Sequence, residues 1–134
     1  MSTQLIECVP NFSEGRNQAL IKDIVQCFKD TEGCWVLDSR ADKDHNRLVI
    51  SLAGEPGPVQ ESLLAAARVA VDKIDMTTHQ GGHPRVRAVD VIPFVPLRNI
   101  SMAQCVDLAR AFGQRFHDQT GVPVYLYEDA ALRP

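Results

Sequence analysis

Residues able to do chemistry fall in three polar segments of the sequence. The first is Asn11-Phe12-Ser13-Glu14-Gly15, the second runs from Asp38 to Arg47, and the third is His79-Gln80-Gly81-Gly82-His83-Pro84-Arg85-Val86-Arg87. The third is the richest. His79 and His83 are four apart, a spacing that on a helix pairs two imidazoles as metal ligands. Gly81, Gly82 and Pro84 argue against a helix there, and with no third ligand nearby we expect no metal. A histidine set between glycines and a proline suits a general base instead: the glycines let a ligand approach the backbone, and the proline limits the swing of the ring. Against this stands the plainer reading of a solvated loop histidine, which composition alone favours.

Arg47, Arg85 and Arg87 have the paired N–H donors that bind carboxylates. Taken singly, each also reads as a surface arginine or a local ion pair with Glu14, Asp42 or Asp44. Asp38 and Asp90 fall at or in strand-like runs. A buried carboxylate needs donors, so a structural role there competes with a catalytic one. The Asn11 amide offers a fixing point for a polar ligand.

The elements that must position these segments alternate in type. Gln4 to Val9 reads as a strand ended by Pro10. Asn17 to Lys29 places Ile21, Ile24, Val25 and Phe28 at helical spacing, and Gly33 stops it. Cys34 to Asp38 and Arg47 to Ala53 read as strands, the second with both faces largely covered, and the polar stretch Ser39 to Asn46 between them as a loop. Gly54 to Pro58 reads as a turn. From Val59 to Ile74 an apolar stripe marks a long helix. Ala88 to Phe94 is strand-like, with Pro93 at its end or on an edge. Ser101 with Gln104 matches a capping box ahead of a helix carrying Cys105, Leu108, Ala109, Phe112 and Phe116. Gly121 ends that helix, and Val122 to Tyr127 is a last strand. The order β-α-β-β-α-β-α-β predicts a two-layer α/β sandwich, a mixed sheet with helices mainly on one face. An uncovered face would call for a partner, another subunit or another domain.

With 134 residues, 45% of them hydrophobic, the chain has room for one core, so we expect a single domain over 1–134. The formal net charge of −3 speaks against a general nucleic-acid binder. No apolar run approaches the ~18 residues needed to span a bilayer, and we expect no membrane partner. No secretory signal is evident at the N-terminus, and a cytoplasmic location is the expectation. The four cysteines form no C-x-x-C pair and are expected to be buried, reduced thiols.

These segments also resemble a known family. Cys8-Val9-Pro10-Asn11-Phe12-Ser13-Glu14-Gly15 resembles the start of glutamate formiminotransferases. So do Asp75-Met76 with His79, Gly82-His83-Pro84-Arg85 followed by Ala88, Asp90, Pro93-Phe94 and Pro96, and Val122-Pro123-Val124-Tyr125-Leu126-Tyr127. The likeness runs from Leu5 to about Ala131 and is to the N-terminal subdomain of the family.

The resemblance implies transfer of a formimino group between 5-formiminotetrahydrofolate and glutamate, in histidine degradation and one-carbon metabolism. It implies two α/β subdomains with folate bound between them. Tetrahydrofolate enters as a substrate, and glutamate or N-formiminoglutamate as its counterpart. The family's catalytic base falls on His83. Arg85 and Arg47 are the implied carboxylate binders, with Asn11, Asn46, Asp38 and His79 as further substrate-binding candidates. The alternative is a catalytically silent stand-alone subdomain, a folate-binding or dimerising module.

The chain departs from the family pattern at two positions. The family's Asp-x-Asp reads Asp38-Ser39-Arg40 here, and Arg87 stands where the family has glycine. The family also continues beyond the position of Pro134 into a C-terminal subdomain, absent from these 134 residues. The sequence is then either a piece of a longer enzyme or a free-standing subdomain whose partner is such a C-terminal subdomain or a second copy in a homodimer.

Overall fold

In the computed structural model the described residues are 3–73, 89–91, 94–120 and 125–126. Strands β1 (Leu5–Cys8) and β2 (Pro10–Phe12) lead to helix α1 (Gln18–Lys29). Strands β3 (Cys34–Asp42) and β4 (Arg47–Gly54) precede α2 (Pro56–Lys73). Then come β5 (Val89–Val91), β6 (Val95–Arg98), α3 (Met102–Thr120) and β7 (Tyr125–Leu126). The strands form one mixed sheet in the order β6-β1-β4-β2-β5-β7, with β3 paired to β4. Only β5 and β7 run parallel among the described pairs. With three helices against it, this is the expected two-layer α/β sandwich.

Four boundaries differ from the sequence reading, each for a physical reason. Pro10 starts a strand rather than ending one. The eight-residue β4 pairs β1 along its C-terminal half and β2 along its N-terminal half, and a first strand position tolerates the missing N–H. Ser39 to Asp42 continue β3 against β4, so the expected long loop shrinks to Lys43–Asn46. Helix α2 begins at Pro56, because proline fits the first turn of a helix, whose N–H groups have no intrahelical acceptor. Strand β6 contains Pro96 and escaped the sequence reading; it lies at an end of the sheet, where proline is tolerated.

One sheet face is buried by the helices. Burial alternates strictly along β4, with Leu48, Ile50 and Leu52 in the core and Arg47, Val49, Ser51 and Ala53 half-buried on the other side. Coverage of this strand is thus complete on the helix side and partial on the other, with no residue of β4 fully exposed. In α1, Leu20, Ile24 and Phe28 are buried, and the Asn17 side chain caps the helix by accepting from the Leu20 N–H at 3.1 Å. Gly33, at φ +87, turns the chain into β3. Phe28 meets Phe12 edge-on, ring centroids 6.3 Å apart, which ties α1 to β2. In α3 the capping box forms in both directions: Ser101 N–H donates to Gln104 Oε1, and Gln104 N–H to Ser101 Oγ. Cys8, Cys34 and Cys105 are buried; Cys27 is only partly so. Burial pushes the thiols of Cys27, Cys34 and Cys105 up, away from the reactive thiolate. Among the described residues no helix is long and apolar enough to cross a membrane.

The register defines the opposite, open face. Trp35 pairs with Ala53, Ala53 with Glu7, and Glu7 with Val95, a row that crosses β3, β4, β1 and β6. Directly opposed residues of antiparallel strands share a face, so the whole row looks away from the helices. Two β-bulges add to it. In β3 the register slips at Leu37, so that Leu37 and Asp38 both oppose Ser51. In β6 it slips at Leu97, so that Leu97 and Arg98 both oppose Leu5. A bulge puts two side chains where the partner strand has one. The consequence is four large apolar side chains in water on this face: Trp35 at 57%, Leu37 at 58%, Val95 at 39% and Leu97 at 52% exposure.

Candidate functional site

The polar end of the open face collects three of the residues singled out from sequence. Asn11 on β2 pairs in register with Val49 on one side and Asp90 on the other. Asp38 pairs with Ser51, and Arg47 with Asp42. All are on β2, β3 or β4, so a rigid ladder rather than a free loop sets their spacing. Asn11 and Arg47 are half-buried. The Asn11 amide reaches only a long 3.4 Å contact to the Val9 carbonyl, which leaves it capacity for further bonds.

Asp38 is engaged. Its Oδ2 accepts from Arg40 Nε at 2.8 Å, both side chains being exposed. The two residues lie two apart on β3, facing Ser51 and Val49, so their side chains stand on the same face. Arg40, where the sequence departs from the resembled Asp-x-Asp pattern, thus pairs with Asp38 on the exposed face.

Asn46 serves the scaffold. It is buried at the end of the hairpin turn, with φ 50, a conformation that asparagine tolerates better than most residues. Its Oδ1 accepts the Gly15 N–H at 2.7 Å. Gly15 must be glycine: a Cβ would meet the carbonyl oxygen of Asp42, and would lie 2.6 Å from the backbone nitrogen of Arg47. Arg16 Nε donates to the Lys43 carbonyl at 2.8 Å. Glu14 Oε2 accepts the N–H groups of Arg16 and Asn17. The loop after β2 is therefore clamped onto the β3–β4 turn. The clamp fixes the end of the strand that carries Asn11 and the start of the one that carries Arg47. The sequence reading missed it; Asn46 and Gly15 are 31 positions apart, and only their residue types hinted at unusual backbone.

The turn itself is closed by Asp42. Its Oδ1 accepts from Asp44 N and His45 N, and its Oδ2 lies 2.6 Å from His45 Nδ1. The hydrogen bond to the His45 ring, and next that to the His45 backbone, hold the Asp42 carboxyl below its ordinary value. A carboxylate with a depressed folded-state pKa contributes stability above its unfolded pKa and loses it as the pH falls through the folded one. Asp42→Asn is accordingly expected to lower the melting temperature slightly near pH 6, with the gap to the parent closing by about pH 2. Thermal melts across that range check it.

His79, His83, Arg85 and Arg87 lie outside the described residues. Among those described, no group of three or more His, Cys, Asp or Glu side chains is placed to hold a metal ion.

Residues 5–134 match the family model described as the formiminotransferase domain, N-terminal subdomain, and the chain belongs to that family. It is 52% identical over 132 residues to a formimidoyltransferase-cyclodeaminase of Rattus norvegicus, covering 98% of this chain and 24% of that protein. It is 43% identical over 131 residues to a glutamate formimidoyltransferase of Streptococcus pyogenes serotype M1, covering 98% of this chain and 44% of the relative. A glutamate formimidoyltransferase of Thermoplasma acidophilum is 44% identical over 130 residues, with 97% of this chain and 43% of the relative covered. The chain thus spans from about a quarter to under half the length of these relatives.

Proposed function

We propose that the chain forms one half of a formimidoyl-transfer site acting between 5-formiminotetrahydrofolate and glutamate, with His83 as general base. The reading is supported above all by the assembly of Asn11, Asp38 and Arg47 on one open sheet face, in a chain of the formiminotransferase family. In the direction from folate to glutamate, the amino acid arrives as an ammonium and has no lone pair for attack. Imidazole takes one proton near neutral pH. The amine nitrogen then bonds to the formimino carbon, the bond from that carbon to folate nitrogen breaks, and the proton held on His83 passes to the departing nitrogen. Arg47 and Arg85 bind carboxylates of glutamate and of the folate tail, and the Asn11 amide and His79 complete the polar contacts. Asn46 acts through the loop it holds. The half-site is completed by a C-terminal subdomain or by a second copy, which excludes water and sets the approach of the two substrates.

The Arg40–Asp38 ion pair favours a second reading, a folate-binding module without transfer, because the paired carboxylate is poorly placed to hold a substrate ammonium. Arg40→Asp separates the two. It is expected to raise transfer about tenfold, the scale of one charge-assisted hydrogen bond. The assay is formimino transfer by the purified chain, alone and mixed with the C-terminal half of a glutamate formimidoyltransferase. Folate binding that persists with no transfer in the parent or Arg40→Asp supports the module. No transfer and no folate binding in any arrangement refutes both.

A further inference from the structure

We infer that Glu7, Trp35 and Ala53 form a slot for the pterin ring of 5-formiminotetrahydrofolate, with the Glu7 carboxylate accepting the paired N–H groups of its aminopyrimidinone edge. The choice of ligand rests on the proposed function, but the test reads binding rather than transfer.

Glu7, Asp38 and Asp42 share the open face. Asp38 accepts from Arg40 at 2.8 Å, and Asp42 is taken up by the His45 ring and by backbone N–H groups of the turn. Glu7 is half-buried, and among the described residues nothing pairs with its carboxylate. Such an acid has given up part of its water without gaining donors, a cost that a ligand bringing donors relieves.

The neighbours select the donors. Glu7 pairs in register with Ala53, and Ala53 with Trp35. The Glu7 and Trp35 backbones are therefore two strand spacings apart, about 9.5 Å, with only a methyl group rising between them. Side chains stand roughly perpendicular to a sheet, so the gap above Ala53 has an indole on one side and an acid on the other. Trp35 keeps 57% of its surface in water, and an exposed indole gains by contact with a flat ring. An aminopyrimidinone is flat, and its amino group and adjacent ring N–H point the same way. They match the two carboxylate oxygens as a guanidinium does. A purely apolar ring would leave the acid unsatisfied.

The register also sets the direction of the ring. Ala53, Ser51 and Val49 follow one another on this face of β4, and Val49 is flanked by Asn11 and Arg40. From the Glu7 row to the Asn11 row is about 13 Å. A pterin held at Glu7 by its amino edge lies over Ser51 and turns its far side, which carries N5, toward Asn11. The formimino group and the folate tail then point to the polar end, where Arg47 stands. Glu7 and Arg47 thus take opposite ends of one ligand.

Isothermal titration of the full chain, alone and mixed with the C-terminal half of a glutamate formimidoyltransferase, tests this with two probes. One is 6-methyltetrahydropterin, which has the ring and no tail; the other is p-aminobenzoylglutamate, which has the tail and no ring. Trp35 is the chain's one tryptophan, so quenching of its emission by the pterin reports contact directly. Glu7→Gln, which keeps the size and removes the charge, is expected to weaken pterin binding about tenfold to a hundredfold. Trp35→Leu is expected to weaken it about threefold to tenfold, and Ala53→Leu, which fills the slot, at least about tenfold. All three should leave p-aminobenzoylglutamate binding within about twofold, because its sites are distant. Circular dichroism shows whether each variant remains folded; a misfolded Ala53→Leu is replaced by Ala53→Val, with the same expectation. Pterin binding indifferent to Glu7→Gln and Ala53→Leu overturns the inference, as does equal weakening of both probes. So does pterin bound by the chain alone with Trp35 emission unchanged, or no pterin binding in either arrangement. Glu7-dependent pterin binding without transfer sinks the catalytic reading alone, and transfer with Glu7-independent pterin binding sinks the slot alone.

Discussion

His83→Ala is expected to cut formimino transfer by about a hundredfold to ten-thousandfold, the range over which a positioned general base acts. The loss should fall on kcat more than on KM, because an imidazole that moves a proton matters most in the transition state. Folate binding, carried by arginines and amides elsewhere, should change little. The pH profile gives a second check. In the parent the rate should rise through the titration range of a histidine, since only the neutral ring can accept a proton. In the variant that limb should vanish. Stepwise transfer rates with saturating folate, measured for the chain together with whichever partner completes the site, decide it. Equal rates for parent and variant would remove His83 from the chemistry while leaving the family membership untouched.

Gly15→Ala is expected to have the largest effect on stability among single-atom changes at the site, about 2–4 kcal/mol, from overpacking against rigid backbone and loss of a buried hydrogen bond. The added methyl would press on the backbone of Asp42 and Arg47, neither of which is the yielding end of a side chain. Relief requires the loop to lift, and lifting breaks the bond from Gly15 N–H to Asn46 Oδ1. The turn that leads into Arg47 then loses its tie to the loop and is destabilised. Folate affinity should fall along with stability, because the clamp also fixes the strand of Asn11. Gly57→Ala is the matched control. A Cβ there meets nothing within 4 Å, and the residue lies in α2, where alanine is favoured over glycine by roughly 0.5–1 kcal/mol. Urea melts of the two variants should move in opposite directions; destabilisation by both would mean that the loop contacts are not the cause.

Local pattern made much of the fold legible. Helix α1 follows from the spacing of Ile24 and Phe28 and from Asn17 as cap. Helix α3 follows from the reciprocal Ser101–Gln104 box. Neither needs knowledge of distant residues, because helical hydrogen bonds close within four positions. Strand β6 was not legible, since Pro96 argues against a strand until its place at the sheet's end is known. Nor was the extension of β3 through Ser39–Asp42, whose polar composition suggests a loop until β4 pairs with it.

What the sequence by itself determined is the two-layer architecture, the helices and the family, because these rest on periodicity and on motif residues that keep their types wherever the chain goes. Tertiary structure alone decided which polar residues share a face. Asn11, Asp38 and Arg47 stand on one side of the sheet because β2 and β3 flank β4, with register set by pairing between strands. It also decided that Asn46 holds Gly15 and that Leu37 and Leu97 stand in water. A bulge shifts the side chains of everything beyond it by one position, and no single strand read alone reveals the slip.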